Sequence, residues 1–364
     1  MMAKLIKSII FTPNLLIEMI ESNQKIENKS FTFKKILQLV LMLALAGVLL
    51  YFSFKEVKWD GFIENLKKCN YSWILFSMFL GFLGFFFRAI RWRLLLLPLN
   101  SNITKREAYD GVMIGYLTNF AFPRAGELAR CGVIAKTKKA SFEGALGTVV
   151  LERSFDMLCL LFFVILILVF KWNEFGSFMS KELFEPLIGK FSNSFLWIIF
   201  VAIILSILII SYFVHKNKES LLKKKFFSKI YNILKGLGAG ILSAFKMKNK
   251  GLFFLFTAML WTTYWLTSYA TILAFPSVGH LSIVDALFLM VVGGLGWVVP
   301  VQGGLGAYHF IVSLALYAVY SIPQTDGVVF ATISHESQAF MMIVLGAISL
   351  ISINISSKKS KLNK

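Results

Sequence analysis

Long apolar runs constrain this chain before anything else. Residues 36–54, 72–97, 142–170, 194–214, 251–275 and 328–355 each form such a run, and residues 281–320 form another, broken by Pro300, Gly303, Gly304 and Gly306. A helix of about 20 apolar residues crosses a hydrocarbon layer of roughly 30 Å. Only 16% of the residues are charged, against about 25% in a soluble domain. The expected fold is therefore an all-α polytopic membrane protein. It has about six full spans plus two broken or re-entrant hairpins, up to ten membrane segments.

The remaining charge is one-sided, with 38 Lys+Arg against 19 Asp+Glu and a formal net charge of +19. A basic soluble chain would suggest nucleic acid, but here the basic residues lie between spans. With the N-terminus placed inside, 30 of the 38 fall in cytoplasmic segments and 7 in outer loops. That is a positive-inside bias. It implies two cytoplasmic termini, a cytoplasmic segment over residues 1–35, a transmembrane domain over 36–355 and a basic tail over 356–364. The expected location is a bacterial inner membrane. Residues 215–250 differ from the spans: Leu222, Phe226, Ile230, Ile233 and Leu237 recur at helical spacing among lysines. They read as an amphipathic interfacial helix. Cys69, Cys131 and Cys159 are isolated, and no cleavable signal is expected at the N-terminus.

Two interrupted segments carry the functional information. Residues 107–140 begin and end beside basic clusters, as a hairpin entering from the cytoplasm would. Residues 281–321 begin and end on the other side, with limbs that read as long enough to cross. Their turns share a pattern: Phe120, Pro123, Gly126 and Leu128 in one, Trp297, Pro300, Gly303 and Leu305 in the other, at equal spacing. The flanking spans also repeat in order with the opposite starting side, which reads as an inverted-topology repeat. Broken helices survive in a membrane only where protein or water satisfies their backbone. Their free N–H groups and positive dipole ends suit anions.

In order and spacing, four motifs resemble the lysylphosphatidylglycerol synthase transmembrane-region, or flippase-like, family. They are Phe87-Arg88-x-x-Arg91-Trp92-Arg93; Asn119 through Pro123-Arg124-x-Gly126-Glu127-x-x-Arg130; Glu152-Arg153-x-x-Asp156; and Pro300-x-x-Gly303-Gly304-x-Gly306. The resemblance covers about residues 36–355. It implies that the chain moves a lipid headgroup between leaflets. Relatives join this domain to a soluble aminoacyl-transfer domain. This chain ends nine residues after Ile355, so no such transfer is expected of it. The sequence departs from the family at His309, where an acidic residue is expected nearby.

Arg88, Asn119, Pro123, Arg124, Gly126, Glu127, Arg130, Glu152, Arg153, Asp156, Pro300, Gly303, Gly304 and Gly306 are accordingly the candidate substrate-binding residues. Charges inside a bilayer cost several kcal/mol, about 3 on insertion scales, and need partners. Glu152 and Asp156 share a helix face and would hold Arg124, Arg130 or a cationic headgroup, or else fix the hairpin structurally. Arg130 would meet a phosphate, with Glu127 facing either a cation or Arg130. Arg88, Arg91 and Arg93 fall near the cytoplasmic headgroups and read as snorkelling anchors, with Arg88 the exception. His309, His335 and Glu336 are intramembrane by position. Four histidines without a zinc-protease spacing give no expectation of a metal, and no cofactor or catalytic constellation is expected. The implied partners are membrane lipids, either phospholipid or polyprenyl-phosphate-linked, and no nucleic acid. The alternatives are a membrane-embedded enzyme of lipid headgroup or glycolipid modification, and a partner subunit of a separate lipid-modifying enzyme.

Overall fold

A computed structural model of the chain describes residues 29–171 and 247–362. The span expected at 194–214, most of the amphipathic segment at 215–250 and the first 28 residues lie outside the described residues. The chain divides into two units, Met1–Leu45 and Ala46–Lys364. Of the first, only part of one helix is described.

Every described element is helical. In chain order they are α1 (Lys29–Phe54), α2 (Trp59–Lys68), α3 (Tyr71–Leu96), α4 (Lys105–Ala121), α5 (Gly126–Lys136), α6 (Phe142–Phe170), α7 (Lys250–Ala274), α8 (Ile283–Val298), a 3₁₀ turn (Gln302–Gly304), α9 (Ala307–Tyr320) and α10 (Gln324–Leu362). Five stretches are long and apolar enough to cross a membrane: Leu37–Phe54, Tyr71–Leu96, Phe142–Phe170, Gln302–Tyr320 and Gln324–Ile355. Helix α7 has the length, 25 residues, but its threonines, tyrosines and tryptophans make it less apolar. Two of its buried threonine hydroxyls are satisfied locally. Thr257 and Thr263 donate to the Phe253 and Leu260 carbonyls at 2.7 Å, which lets them lie buried without an outside partner.

Of the second hairpin's two limbs, both read as long enough to cross, Gln302–Tyr320 has the length and Ile283–Val298 is a shorter apolar helix. Helix α8 has 16 residues and α9 has 14, about 24 and 21 Å at the helical rise. Three left-handed glycines shorten the second limb: Gly303 (φ 56°), Gly304 (φ 79°) and Gly306 (φ 79°). The half-helix after this break starts at Ala307, not at Gly303.

Both hairpins begin with the same device. Thr104 and Glu107 form a reciprocal capping box at the start of α4, and Ser282 and Asp285 form another at the start of α8. Each box acid then holds a lysine flanking α6: Lys139 lies 2.8 Å from Glu107, and Lys171 lies 3.0 Å from Asp285. Burial pushes the Glu107 carboxyl up, but Lys139 and the Thr104 cap outweigh it and hold its pKa below the ordinary value.

The corresponding helices α3 and α7 pack antiparallel. Asn70 N–H meets the Ala274 carbonyl at 2.8 Å, and Ser77 and Thr271 share a hydrogen bond of 3.2 Å. Further along, Gly84 lies against Thr263. Small residues allow the other close crossings. A Cβ on Gly346 of α10 would stand 2.7 Å from the Leu117 Cβ of α4.

Candidate functional site

The first hairpin is folded back on itself at two glycines. A Cβ on Gly115 would lie 3.0 Å from the Gly126 carbonyl, and one on Gly126 would collide with the Gly115 carbonyl and the Asn119 amide. Asn119 accepts from Gly126 N–H at 2.8 Å. It thereby caps the half-helix α5, whose own flanking residue, Ala125, has no side-chain oxygen to do so. The turn between the limbs runs through Pro123 and a left-handed Arg124 (φ 61°).

The two breaks touch. Arg124 Nη2 donates to the Val298 carbonyl at the end of α8, at 2.7 Å. Gly303 sits against the Phe120 ring, where a Cβ would overlap the aromatic carbons. Trp297 lies over Gly304, 3.3 Å from where its Cβ would be. The aromatic residues that begin the two matching turns therefore pack on the glycines of the second break. Pro300 precedes that break, and Gly306 passes close to the Ala46 carbonyl of α1.

Beside the first hairpin, α3, α5 and α6 bring four arginines around two carboxylates. Glu152, fully buried, pairs with Arg88 Nε and Arg91 Nη2 at 3.1 Å, Arg130 Nη1 at 3.0 Å and Arg153 Nη2 at 3.4 Å. Asp156 pairs with Arg91 Nη1 at 2.7 Å, Arg88 Nη2 at 3.5 Å and Arg153 Nη1 at 3.7 Å. Arg88 also donates to the Tyr116 hydroxyl at 3.0 Å. The Arg130 guanidinium stacks 4.8 Å above the Trp92 ring, and Trp92 is anchored to Thr148 Oγ1 at 3.0 Å.

This corrects the snorkelling reading of Arg91, while Arg88, the exception in that reading, is buried beside it. Arg91 is wholly buried and Arg88 is 7% exposed. Arg93 differs from both, donating to the Ile103 carbonyl at 2.7 Å at the end of α3. Residue depth along α3 places these arginines near a membrane face. It says nothing of a carboxylate pair on α6 that draws two of them inward. Their spacing carries the signal: Arg88 and Arg91 are three residues apart, and Glu152 and Asp156 four, so each pair occupies one helix face. Tyr116 and Trp92 have no comparable mark in the sequence.

Four guanidinium groups sharing two carboxylates leave an excess of positive charge. A small open cleft lies against it, lined by Arg88, Arg130 and Arg153 together with Asn119, Gly126 and Glu127. Nε and Nη2 of Arg130 and Nε of Arg153 have no hydrogen-bond partner. Glu127 makes no ion pair among the described residues. Of the candidate residues, Arg88, Asn119, Gly126, Glu127, Arg130 and Arg153 line this cleft and Glu152 and Asp156 lie in the adjoining cluster, whereas Pro123, Arg124 and the second-break group, Pro300, Gly303, Gly304 and Gly306, do not line it.

Fold and site together describe a helical membrane protein with two opposed broken hairpins and a buried arginine–carboxylate cluster. The chain belongs to the lysylphosphatidylglycerol synthase transmembrane-region family, whose model matches residues 39–346. Among curated proteins, it is similar to a UPF0104 membrane protein of Methanothermobacter thermautotrophicus (strain Delta H). The two are 25% identical over 137 residues, which cover 37% of this chain and 39% of that protein. The chain thus spans about two-fifths of the length of this relative. No solved structure matches.

Proposed function

We propose that this protein is a lipid flippase or transporter that carries a phosphate-containing headgroup between leaflets. We place it in a bacterial inner membrane with both termini cytoplasmic, as the positive-inside count suggests. One observation carries the reading: buried arginine N–H groups without partners line a small cleft beside a broken helix. Even with Glu127 counted, the cleft and its cluster hold one more guanidinium than carboxylate. An anion entering there meets charge-assisted donors already held in place by Glu152 and Trp92.

In this mechanism the phosphate sits against Arg130 and Arg153 while the acyl chains remain in the lipid. Glu127 is free to meet the cationic part of a zwitterionic headgroup. Rocking of one repeat against the other then changes the side to which the cleft opens. The chain is read as a transporter and not as an enzyme, and a separate lipid-modifying enzyme would supply its substrate.

Leaflet exchange of labelled phospholipids and polyprenyl phosphates in reconstituted liposomes tests this directly. Exchange above that of empty vesicles is expected, with loss in Arg153→Ala. Equal rates for every lipid with and without protein, under varied ion gradients, would sink the proposal. Whole-cell lipid analysis separates the enzyme reading: deletion that abolishes a lipid species favours an enzyme, whereas a correct species in the wrong leaflet favours transport.

A further inference from the structure

The second break is joined to a cluster that the transport reading does not use. His335, on α10, lies 2.8 Å from the Gly303 carbonyl through Nε2 and 2.9 Å from Glu336 Oε1 through Nδ1. His309, on α9, brings Nε2 to 3.7 Å from the same carboxylate oxygen. Ligand atoms of all three residues lie within 4.8 Å of one another. Both imidazoles are 2% exposed, and Nδ1 of His309 has no hydrogen-bond partner.

The hydrogen-bond roles follow from what surrounds the His335 ring. The Gly303 carbonyl can only accept, so Nε2 carries the proton and donates. The Nδ1 lone pair then faces the Glu336 carboxylate, and the His309 ring turns another nitrogen toward the same oxygen. The lone pairs of His335 Nδ1 and the Glu336 carboxylate, 2.9 Å apart, repel unless something positive lies between them. A proton joins two of these atoms, whereas a divalent metal joins all three.

We infer that His309, His335 and Glu336 form a binding site for a divalent transition metal, with Zn²⁺ as the best fit. Two imidazoles and one carboxylate with an open fourth position suit tetrahedral zinc, whose ligand atoms stand roughly 3.4 Å apart for bonds of about 2.1 Å. The observed 2.9 and 3.7 Å separations bracket that spacing. A metal-bound imidazole usually gives its other N–H to a carbonyl or carboxylate, which fixes the ring, and His335 does so with Gly303. The stacked Trp297 ring, with its centroid 5.1 Å from that of His335, holds it from one side. The metal would also neutralise Glu336, a carboxylate about 18 Å along α10 from its start by helical rise. Bound there, it would tie α9, α10 and the second break together.

The test is metal binding to the purified full-length chain after chelation, by equilibrium dialysis against Zn²⁺ and Co²⁺ with elemental analysis. One metal per chain is expected, with the visible absorption of a four-coordinate Co²⁺ site. Glu336→Gln and His309→Gln should each weaken binding about tenfold or more, while Arg93→Ala keeps it. Thermal unfolding of each variant without metal shows whether it is folded; Glu336, half-exposed, is the variant least dependent on packing. Binding far below one metal per chain overturns the inference. So does full binding in the folded Glu336→Gln and His309→Gln variants, or a cluster that takes up a proton but no metal.

Discussion

Glu152 is the residue on which the charge cluster depends. Four arginines approach it and none of its side chain is exposed. Glu152→Gln keeps the shape but removes the charge, leaving arginines buried without full compensation, a change that costs about 3–5 kcal/mol. The expected outcome is a large drop in the thermal midpoint and in the yield of folded protein. Arg153 behaves differently because its side chain is 40% exposed at the mouth of the cleft. Partly exposed pairs contribute about 0–1 kcal/mol, so Arg153→Ala should fold nearly as well as the parent while losing lipid exchange. Arg93→Ala should keep both. Equal loss of folded protein in Arg153→Ala and Arg93→Ala would mean that the cluster is structural only. The sequence marks Glu152, Arg153 and Asp156 plainly, since charges inside an apolar run need partners. It does not say which partners. Arg124 was one candidate for Glu152, yet it reaches across to Val298, because its left-handed backbone aims the side chain at the other hairpin.

At the scale of elements, close approach decides what the hairpins tolerate. Gly126→Ala forces a Cβ into the Gly115 carbonyl and the capping Asn119. Overpacking of this kind costs about 1–3 kcal/mol and should appear as a lower midpoint together with slower transport. Gly303→Ala meets both a left-handed backbone and the Phe120 ring. Adding Phe120→Ala removes the overlap but not the backbone strain, so partial recovery of stability in the double variant is expected. No recovery would show that the two breaks are not in contact. The Pro-x-x-Gly spacing that aligns the turns is legible in the sequence, but the helix start after the second turn is not. Gly304 and Gly306 extend the non-helical stretch, so α9 begins four residues after Gly303. The capping boxes at Thr104–Glu107 and Ser282–Asp285 were available as a further sign of repetition, since Ser or Thr followed three residues later by an acid marks a helix start.

At the scale of the whole molecule, the positive-inside count needs amendment. Arg88, Arg91 and Arg130 were counted as loop charges, yet all three are buried in the cluster. Without them, 27 of the 38 basic residues remain in the segments read as cytoplasmic from the sequence. Low pH gives a further check on how the first hairpin is held. The Glu107 carboxyl is depressed by Lys139 and its cap, against the opposing effect of burial. Its contribution is therefore complete above the ordinary glutamate value and is lost as pH falls through the depressed one. The thermal midpoint of the solubilised protein should decline over that acidic window. The Lys139→Met variant should lose part of the decline.

The meeting of the two turns has a mechanical meaning. Among the described residues, the polar contact between the turns is one N–H···O bond from Arg124, and the Phe120 ring rests on Gly303. A single hydrogen bond contributes only about 1 kcal/mol, and no ion pair among the described residues bridges the turns themselves. In the transport reading, such a seam would open and close while the charge network behind it stays intact. The boundary between the two sides of the membrane would then lie where the protein is easiest to part.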